Sequence, residues 1–332
     1  MNANNKKKLD EFMEIRGMRQ VVMVSMGLIV LCIAFALMNP TFYSGRNVGN
    51  LLRQIAPILI IGMGQSYVLI TGNIDLSIGS VVGMSCMISA TLMTKSVNPW
   101  IAVILTMVIG LFTGVINGVL VARFKLPPFI ATLGTMTVAR GIAQIVNNNY
   151  NTDAIGEGAQ GFRNLFYYGK TLGVYNTVWI ALALFIVLAL ILGKTCFGRY
   201  IYAVGSNAEA AKLSGVNVVS IVMKAYTISA FCGCIVGLMM TATAGIGTMD
   251  AGNMYEMYSV AASVIGGVST LGGQGLLFGT VIGAAIWGVL QNGLQFAGAP
   301  VAIRNIVIGL IVIGSVMIDV VTRTGKIKKI KK

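Results

Sequence analysis

The sequence predicts an all-α polytopic membrane protein with about ten transmembrane helices, and three observations lead to this fold class. Of the 332 residues, 56% are hydrophobic and 10% are charged, and the mean hydropathy is +0.82. Because a soluble domain carries about 25% charged residues, this composition indicates a chain that lies in lipid. Apolar runs of about 18 residues or more recur along the chain, and each can cross about 30 Å of hydrocarbon. The 41 glycines fit this class, since Gly lets membrane helices pack closely.

The apolar runs give the candidate membrane spans in chain order. The run at 20–39 follows basic residues, but no small-residue cleavage site comes after it, so we expect a retained first helix and not a signal peptide. A shorter apolar segment at 258–271 is expected to cross the membrane obliquely or to be re-entrant. The remaining candidates are 53–71, 77–94, 99–122, 128–147, 176–193, 218–243, 276–297 and 302–321.

The basic residues divide the chain and orient it. Residues 1–19 form a basic N-terminus, residues 20–321 form a single transmembrane domain, and residues 322–332 form a basic tail. Seventeen of the 24 Lys and Arg residues fall in the two ends and two internal loops on one side of the predicted membrane, and six fall on the other side. Because positive residues favour the cytoplasmic side, we expect both termini in the cytoplasm.

Several kinds of chemistry have no basis in this sequence. It contains no histidine and no paired CxxC, so we expect no metal site, no His-based catalysis and no cofactor. Two Gly-Lys-Thr tripeptides, at 169–171 and 193–195, lack the earlier glycine of a phosphate loop, since Asn164 and Leu188 stand there. The net charge of +14 is concentrated at the ends and loops, which indicates membrane orientation and not nucleic-acid binding. The sequence therefore predicts a protein that is not an enzyme.

The loop at 194–217, on the predicted cytoplasmic side, carries a helix signal. Ser206 followed three residues later by Glu209 is a capping box, and Gly215 can adopt a left-handed helix stop. We expect a short rigid helix that presents Glu209 and Lys212 to a soluble partner, and a helix lying on the lipid surface is the alternative. The candidate coupling residues are Gly205, Ser206, Asn207, Ala208, Glu209, Ala210, Ala211, Lys212 and Gly215.

Polar residues interrupt the apolar runs and suggest a path through the membrane. The segment 71–80 breaks two runs, and such a break at membrane depth is tolerated only where protein or water surrounds it. Asp75 in this segment either lines a path or caps the helix that follows. Arg140 either lines the path or binds carbonyls of broken neighbours. Glu256 contacts the substrate or an external partner, or it caps a helix. The candidate path residues are Gln65, Asn73, Asp75, Asn117, Arg140 and Glu256.

Four sequence blocks carry a resemblance to a known family. They are TGNIDLSIGS at 71–80, PFIATLGTM at 128–136, FGRYIYAVGSNAEAAKLSGVN at 197–217, and the segment 255–273, which ends in VIGGVSTLGG. With these blocks in this order, the chain resembles the ribose, xylose and galactose type permeases of the ABC importer superfamily along nearly its whole length.

The resemblance implies a permease subunit that forms the translocation path for a monosaccharide in the bacterial cytoplasmic (inner) membrane. It implies three kinds of partner: a second permease copy, cytoplasmic ATP-binding subunits and an extracytoplasmic sugar-binding protein. Residues 205–215 would be the coupling helix that docks on the ATP-binding subunit. Since selectivity in such systems would lie largely in the binding protein, the sequence does not name the sugar.

Two other functions stay open on the sequence. The first keeps the ABC architecture and changes the cargo to nucleosides or other small polar solutes. The second is a self-sufficient secondary transporter, which would need titratable residues inside its spans, and Asp75, Arg140 and Glu256 are the candidates. A neighbouring gene for an ATP-binding subunit would favour the importer over the lone carrier.

Overall fold

The computed structural model describes residues 18–324. Residues 1–17 and 325–332 lie outside the described part, and with them most of the basic N-terminus and basic tail that the sequence predicts. The described part is helical, with one two-stranded antiparallel hairpin in which Lys170 pairs with Tyr175 and Thr171 pairs with Val174.

The helices follow the predicted order of apolar runs. Short 3₁₀ turns lie at Pro40–Tyr43 and Glu157–Ala159, and a π-helical turn lies at Asn164–Tyr168. The strands are β1 (Lys170–Thr171) and β2 (Val174–Tyr175). The helices are α1 (Met18–Met38), α2 (Gly45–Ile70), α3 (Ile78–Thr94), α4 (Pro99–Ala122), α5 (Pro128–Ile145), α6 (Gln160–Arg163), α7 (Asn176–Lys194), α8 (Cys196–Ser206), α9 (Ala208–Leu213), α10 (Val218–Ala244), α11 (Tyr255–Ile265), α12 (Leu277–Phe296) and α13 (Val301–Thr324).

Within residues 18–324, six helices are long and apolar enough to cross a membrane: α1, α2, α4, α7, α10 and α12. The all-α polytopic class is therefore confirmed, whereas the count of about ten spans is not. Two of the predicted spans correspond to helices that are too short to be counted. Helix α3 has 17 residues and α11 has 11 residues.

Helix α10 lies at the centre of the bundle and packs against α2, α3 and α4. Small residues permit this close approach: a Cβ at Gly114 would lie 2.6 Å from the carbonyl oxygen of Tyr226, and one at Gly237 would lie 2.5 Å from the Ser85 Cβ. Helix α2 is buried on all sides from Ala56 to Ile70. A helix segment that is buried around its whole circumference belongs in the interior, so this part of α2 lies in the core, with α10 packed against it.

The outer helices present apolar side chains to the surroundings. On α1, for example, Val30 is 64% exposed and Leu37 is 81% exposed. Helix α7 exposes Ile186, Val187 and Leu190 in the same way. Exposure of these apolar side chains to water is unfavourable, whereas exposure to lipid is not. The surface therefore agrees with a bilayer as the solvent.

The chain between α2 and α3 turns back into the bundle. Tyr226 donates a hydrogen bond to the carbonyl of Ile74 at 3.0 Å, and Ser229 donates one to Asp75 at 2.7 Å. Counted from Val218 at 1.5 Å per residue, these two partners lie about 12 Å and about 16 Å along α10. Residues 71–77 therefore form a re-entrant segment, and α3 begins inside the bundle and not at its end.

A second re-entrant segment follows α10. After Ala244 the chain returns toward the bundle interior through residues 245–254, and α11 begins at Tyr255. Gly252 and Glu256 pack directly against Gly79, so the first turns of α3 and α11 meet inside the bundle. Beyond α11 the chain reaches the end of the bundle that carries α8 and α9, where the Gly273 amide donates to the Ile70 carbonyl at 2.8 Å. Of the two alternatives for the short apolar segment at 258–271, the crossing is therefore closer to what the structure shows, since residues 245–273 run from one end of the bundle to the other.

Candidate functional site

The carboxylate of Asp75 is the centre of a buried polar network. Its side chain is 1% exposed, in the first re-entrant segment. One carboxylate oxygen accepts from the Ser77 amide at 2.9 Å and from the Ser77 hydroxyl at 2.6 Å, and the other accepts from the Ser229 hydroxyl at 2.7 Å. The chain itself thus supplies three donors to this buried charge, as a buried carboxylate requires.

The network extends to three further helices. The side-chain amide of Asn117, on α4, donates to the Ser77 hydroxyl at 2.8 Å and accepts from the Thr135 hydroxyl of α5 at 2.6 Å. With its nitrogen turned toward the Asp75 carbonyl, the Gln65 amide of α2 donates to that oxygen at 3.0 Å and accepts from the Asp75 N–H at 3.3 Å. Three predicted path residues, Gln65, Asp75 and Asn117, are therefore brought together and are all buried.

Asn73 lies at the edge of this network and is half-buried. Its side-chain amide donates to the Thr71 hydroxyl at 2.8 Å, two residues earlier in the chain. This bond stabilises the turn by which the chain leaves α2. Among the described residues, no hydrogen bond joins the Asn73 side chain to Asp75.

Arg140 and Glu256 lie at the second re-entrant segment. The Arg140 guanidinium, on α5, donates through one nitrogen to the carbonyls of Met249 at 3.2 Å and Ala251 at 2.8 Å. Of the two roles predicted for Arg140, binding the carbonyls of a broken neighbour is the one observed. Glu256 lies in the first turn of α11, where a carboxylate interacts favourably with the helix dipole. Its carboxylate covers Gly79, and a side chain there would collide with it.

The surface beside Arg140 and Glu256 is exposed and combines polar side chains with two methionines. Asn253, Met254 and Met257 are all exposed, although they flank the turn where α3 and α11 meet inside the bundle. Polar side chains at membrane depth face protein or a water-filled cavity in preference to lipid. This surface, comprising Arg140, Asn253, Met254, Glu256 and Met257, is called the midplane surface below.

The predicted coupling loop consists of two helices, α8 and α9, which meet at Asn207. Asn207 has an extended backbone, and its side-chain oxygen accepts from the Ala210 amide at 2.9 Å. The prediction that Ser206 caps this helix is wrong: Ser206 is the last residue of α8, and its hydroxyl donates to the Tyr202 carbonyl at 2.8 Å. The predicted stop is confirmed, since Gly215 has φ = +84°.

The loop is fixed to the end of α2. Gly205 packs on the carbonyl of Ile70, and a Cβ on Gly205 would collide with that oxygen. The same carbonyl accepts from the Gly273 amide at 2.8 Å, and Tyr202 donates to the Gly275 carbonyl at 2.7 Å. The far side of the loop is open, with Leu213 90% exposed. The other exposed residues between 206 and 215 are Ser206, Asn207, Ala208, Glu209, Ala210, Lys212, Ser214 and Gly215, whereas Ala211 is buried.

Sequence reasoning missed the network members that come from apolar runs. Tyr226 and Ser229 lie three residues apart on α10, and Thr135 lies on α5. Residues three and four positions apart share a helix face, so Tyr226, Ser229 and Gly233 lie along one face of α10, the face toward the bundle interior. A lone hydroxyl in an apolar run is too common to identify without the partner that it faces.

Comparisons with known proteins agree with this architecture. Residues 47–316 match a family model described as "Branched-chain amino acid transport system / permease component". The chain is 36% identical over 303 residues to the ribose import permease protein of Bacillus subtilis, covering 91% of this chain and 94% of that protein. It is 32% identical to the galactose/methyl galactoside import permease protein of Salmonella typhimurium, covering 96% of this chain and 98% of that protein.

A third relative is the fructose import permease protein of Rhizobium meliloti, which is 36% identical over 299 residues, or 88% of this chain and 83% of that protein. No solved structure matches the chain. The family model covers most of the chain, and the relatives exceed 30% identity over nearly their whole length. The chain therefore belongs to the family of membrane-embedded permease components of ABC importers, which includes permeases for ribose, galactose and fructose.

Proposed function

We propose that this chain is the permease subunit of an ABC importer for a monosaccharide, and that it forms the translocation path and couples it to a separate ATPase. The observation that carries this proposal is the attachment of the exposed helix α9, through Gly205, to the end of α2. Directly after that end, the first re-entrant segment carries Asp75 into the network shared by α2, α4, α5 and α10. Force applied to α9 thus reaches the bundle interior through rigid contacts.

The charges support an orientation for the bundle. The end that carries α8 and α9 exposes Lys194, Arg199 and Lys212, as expected of a cytoplasmic surface. The opposite end carries the β1–β2 hairpin. In this orientation the residues 205–215 meet the cytoplasmic ATP-binding subunit, and the hairpin end meets the extracytoplasmic sugar-binding protein. Both termini are cytoplasmic, and residues 20–321 form one transmembrane domain of a bacterial inner-membrane protein.

The path lies along the midplane surface, between two copies of the chain. Helix α5 carries Gly134 and Gly141, and α13 carries Gly309 and Gly314, and no atom beyond their own helices lies within 4 Å of a Cβ built at any of the four. Open glycines let a second helix approach closely in a membrane. A second copy packed on the open face of α5 would enclose Arg140 and Glu256. Gln65, Asn73, Asp75 and Asn117 then act behind the path, as residues that position it.

The two alternatives predict different partners and cargo. A lone secondary transporter needs a titratable group that exchanges protons or ions with the path, whereas Asp75 accepts three hydrogen bonds in a sealed site. This observation favours the importer. The matching family model is described as a branched-chain amino acid permease component. The assay must therefore test amino acids as cargo, in addition to nucleosides.

The direct test is co-purification of the tagged chain from mild detergent, followed by an ATPase assay with a sugar-loaded binding protein. We expect an ATP-binding subunit to co-purify and its ATPase activity to rise with the loaded binding protein. Glu209→Lys, on the exposed face of α9, should abolish this stimulation without loss of membrane insertion. Recovery of the chain alone, or full stimulation in Glu209→Lys, would contradict the proposal.

A further inference from the structure

A second polar site lies within the single chain, at the hairpin end of the bundle. A cavity of about 330 Å³ opens there between α2, α10, α12 and the start of α13. Its volume is at the lower end of the range of about 300–1,000 Å³ that is typical of small-molecule pockets. Its lining includes Tyr255, the first residue of α11, so the cavity borders the element that follows the second re-entrant segment.

The cavity combines flat aromatic surfaces with amides. Tyr167, Tyr255 and Trp287 supply the aromatic rings, and the Trp287 ring packs on Tyr258 at 4.7 Å between centroids. Three glutamines, Gln54, Gln291 and Gln295, contribute side-chain amides, each of which can donate and accept hydrogen bonds.

Two arginines complete the lining, without a carboxylate among the lining residues. The Arg53 guanidinium lies over the rings of both Tyr167 and Tyr175, at 4.5 Å and 4.4 Å from their centroids. These two cation–π contacts restrict its orientation before any ligand arrives. Arg304, near the start of α13, brings a second arginine to the same lining.

Three buried polar atoms around this cavity have no hydrogen-bond partner among residues 18–324. They are the Nε1 of Trp287 and the Nε atoms of Arg53 and Arg304. Buried donors without a partner are uncommon and call for an explanation. All three are donors, and all three belong to residues that line one cavity.

We propose that this cavity is a monosaccharide-binding vestibule in each copy of the chain, in which a sugar is held before it enters the path. A sugar ring presents C–H groups that pack on aromatic rings, and hydroxyls that both donate to and accept from amides and guanidinium groups. Two arginines without a carboxylate beside them also suit an anion. An anion, however, would not pack on the aromatic rings and would not donate hydrogen bonds to the amide oxygens. An uncharged sugar uses all three kinds of group.

The vestibule rests on the proposed function and makes a separate prediction, because it binds sugar without ATP or a binding protein. The chain has three tryptophans, so Trp100→Phe combined with Trp179→Phe leaves Trp287 as the sole reporter. In this full-length protein in lipid nanodiscs, we expect ribose, galactose or fructose to change the Trp287 emission in a saturable way. Sodium phosphate is the anion control, and leucine is the amino-acid control.

Matched variants separate binding in the cavity from general effects. Gln291→Ala, and independently Gln54→Ala on another helix, should weaken sugar binding about tenfold, which corresponds to about 1.4 kcal/mol. Arg46→Gln, an exposed arginine on the same helix as Arg53, should bind as the parent protein does. Two glutamine variants keep the test decisive if one of them fails to insert.

The vestibule would be overturned by an emission that no sugar changes, by saturation with phosphate instead of sugar, or by unchanged binding in both glutamine variants. The parent protein, reconstituted with its ATPase and binding protein, separates this failure from failure of the proposed function. Sugar uptake without a Trp287 response would overturn the vestibule alone. Absence of both uptake and sugar-stimulated ATPase activity would contradict the proposed function.

Discussion

At the scale of single residues, two charged groups hold the two re-entrant segments inside the bundle. Asp75 holds the first by accepting from Ser77 and Ser229, and Arg140 holds the second by donating to the carbonyls of Met249 and Ala251. Each charge is satisfied by the chain itself, which is the condition for a charge to be tolerated at membrane depth. Their roles are therefore to position backbone, and each can be tested by substitution.

Replacement of Asp75 by Ala should lower the amount of folded protein and the sugar uptake in parallel. The change leaves the Ser77 amide and the Ser229 hydroxyl without their acceptor, and each unpartnered buried group costs about 1–3 kcal/mol. Thermal unfolding in detergent and uptake per folded molecule are the measurements. Asp153→Ala, at an exposed aspartate, is the control. Normal stability with lost uptake would instead make Asp75 a residue of the path.

Replacement of Arg140 by Lys should retain part of the uptake, and replacement by Gln should abolish most of it. Lysine keeps the charge and can still donate to the two carbonyls, whereas glutamine loses the charge-assisted bonds, which are about twice as strong as neutral ones. Limited proteolysis in the segment 245–254 reports whether that segment is released in Arg140→Gln. Equal uptake by both variants would contradict the anchoring role.

At the scale of elements, the predicted coupling loop is rigid because it is capped and anchored at identifiable residues. Asn207 caps α9, and Gly205 lies against the carbonyl of Ile70. The loop therefore moves with the end of α2 and cannot swing freely. Rigid-body transmission of this kind is how small motions at an interface become large changes elsewhere.

Asn207→Ala should destabilise α9, whereas Ser206→Ala should not. Loss of an N-cap side chain costs about 1 kcal/mol, and the Ser206 hydroxyl bonds only to the Tyr202 carbonyl within α8. Hydrogen exchange of the amides at 208–213 is the measurement, and we expect faster exchange only in Asn207→Ala. Faster exchange in Ser206→Ala would instead support the capping box of Ser206 and Glu209 that the sequence predicts.

Gly205→Ala should abolish coupling, whereas Gly193→Ala should have little effect. Both glycines are the next-to-last residue of a helix, α8 and α7 respectively, so helix propensity changes equally. A Cβ at Gly205 would collide with the Ile70 carbonyl, whereas no atom lies within 4 Å of a Cβ at Gly193. Stimulated ATPase activity and thermal unfolding are the readouts. Normal stimulation in Gly205→Ala would show that the contact with α2 is dispensable.

At the scale of the whole molecule, the sequence predicted the helical class because composition and the length of apolar runs depend on the solvent and not on tertiary contacts. The boundaries of α4 and α10 follow their apolar runs closely. The course of 245–254 could not be predicted, because its direction is set by Arg140, more than a hundred residues away. The cavity beside Trp287 was missed for the same reason, since its lining comes from six separate parts of the chain.

The central claim is that this chain imports a monosaccharide only when an ATPase drives it through the coupling loop. The most direct measurement is uptake of radiolabelled ribose, galactose or fructose into proteoliposomes that contain the chain, its ATP-binding subunit and the binding protein, with leucine and a nucleoside as competing cargo. We predict uptake of one of the sugars that requires ATP and the binding protein and is lost in Glu209→Lys. Uptake that proceeds without ATP, or that follows an ion gradient, would contradict the account.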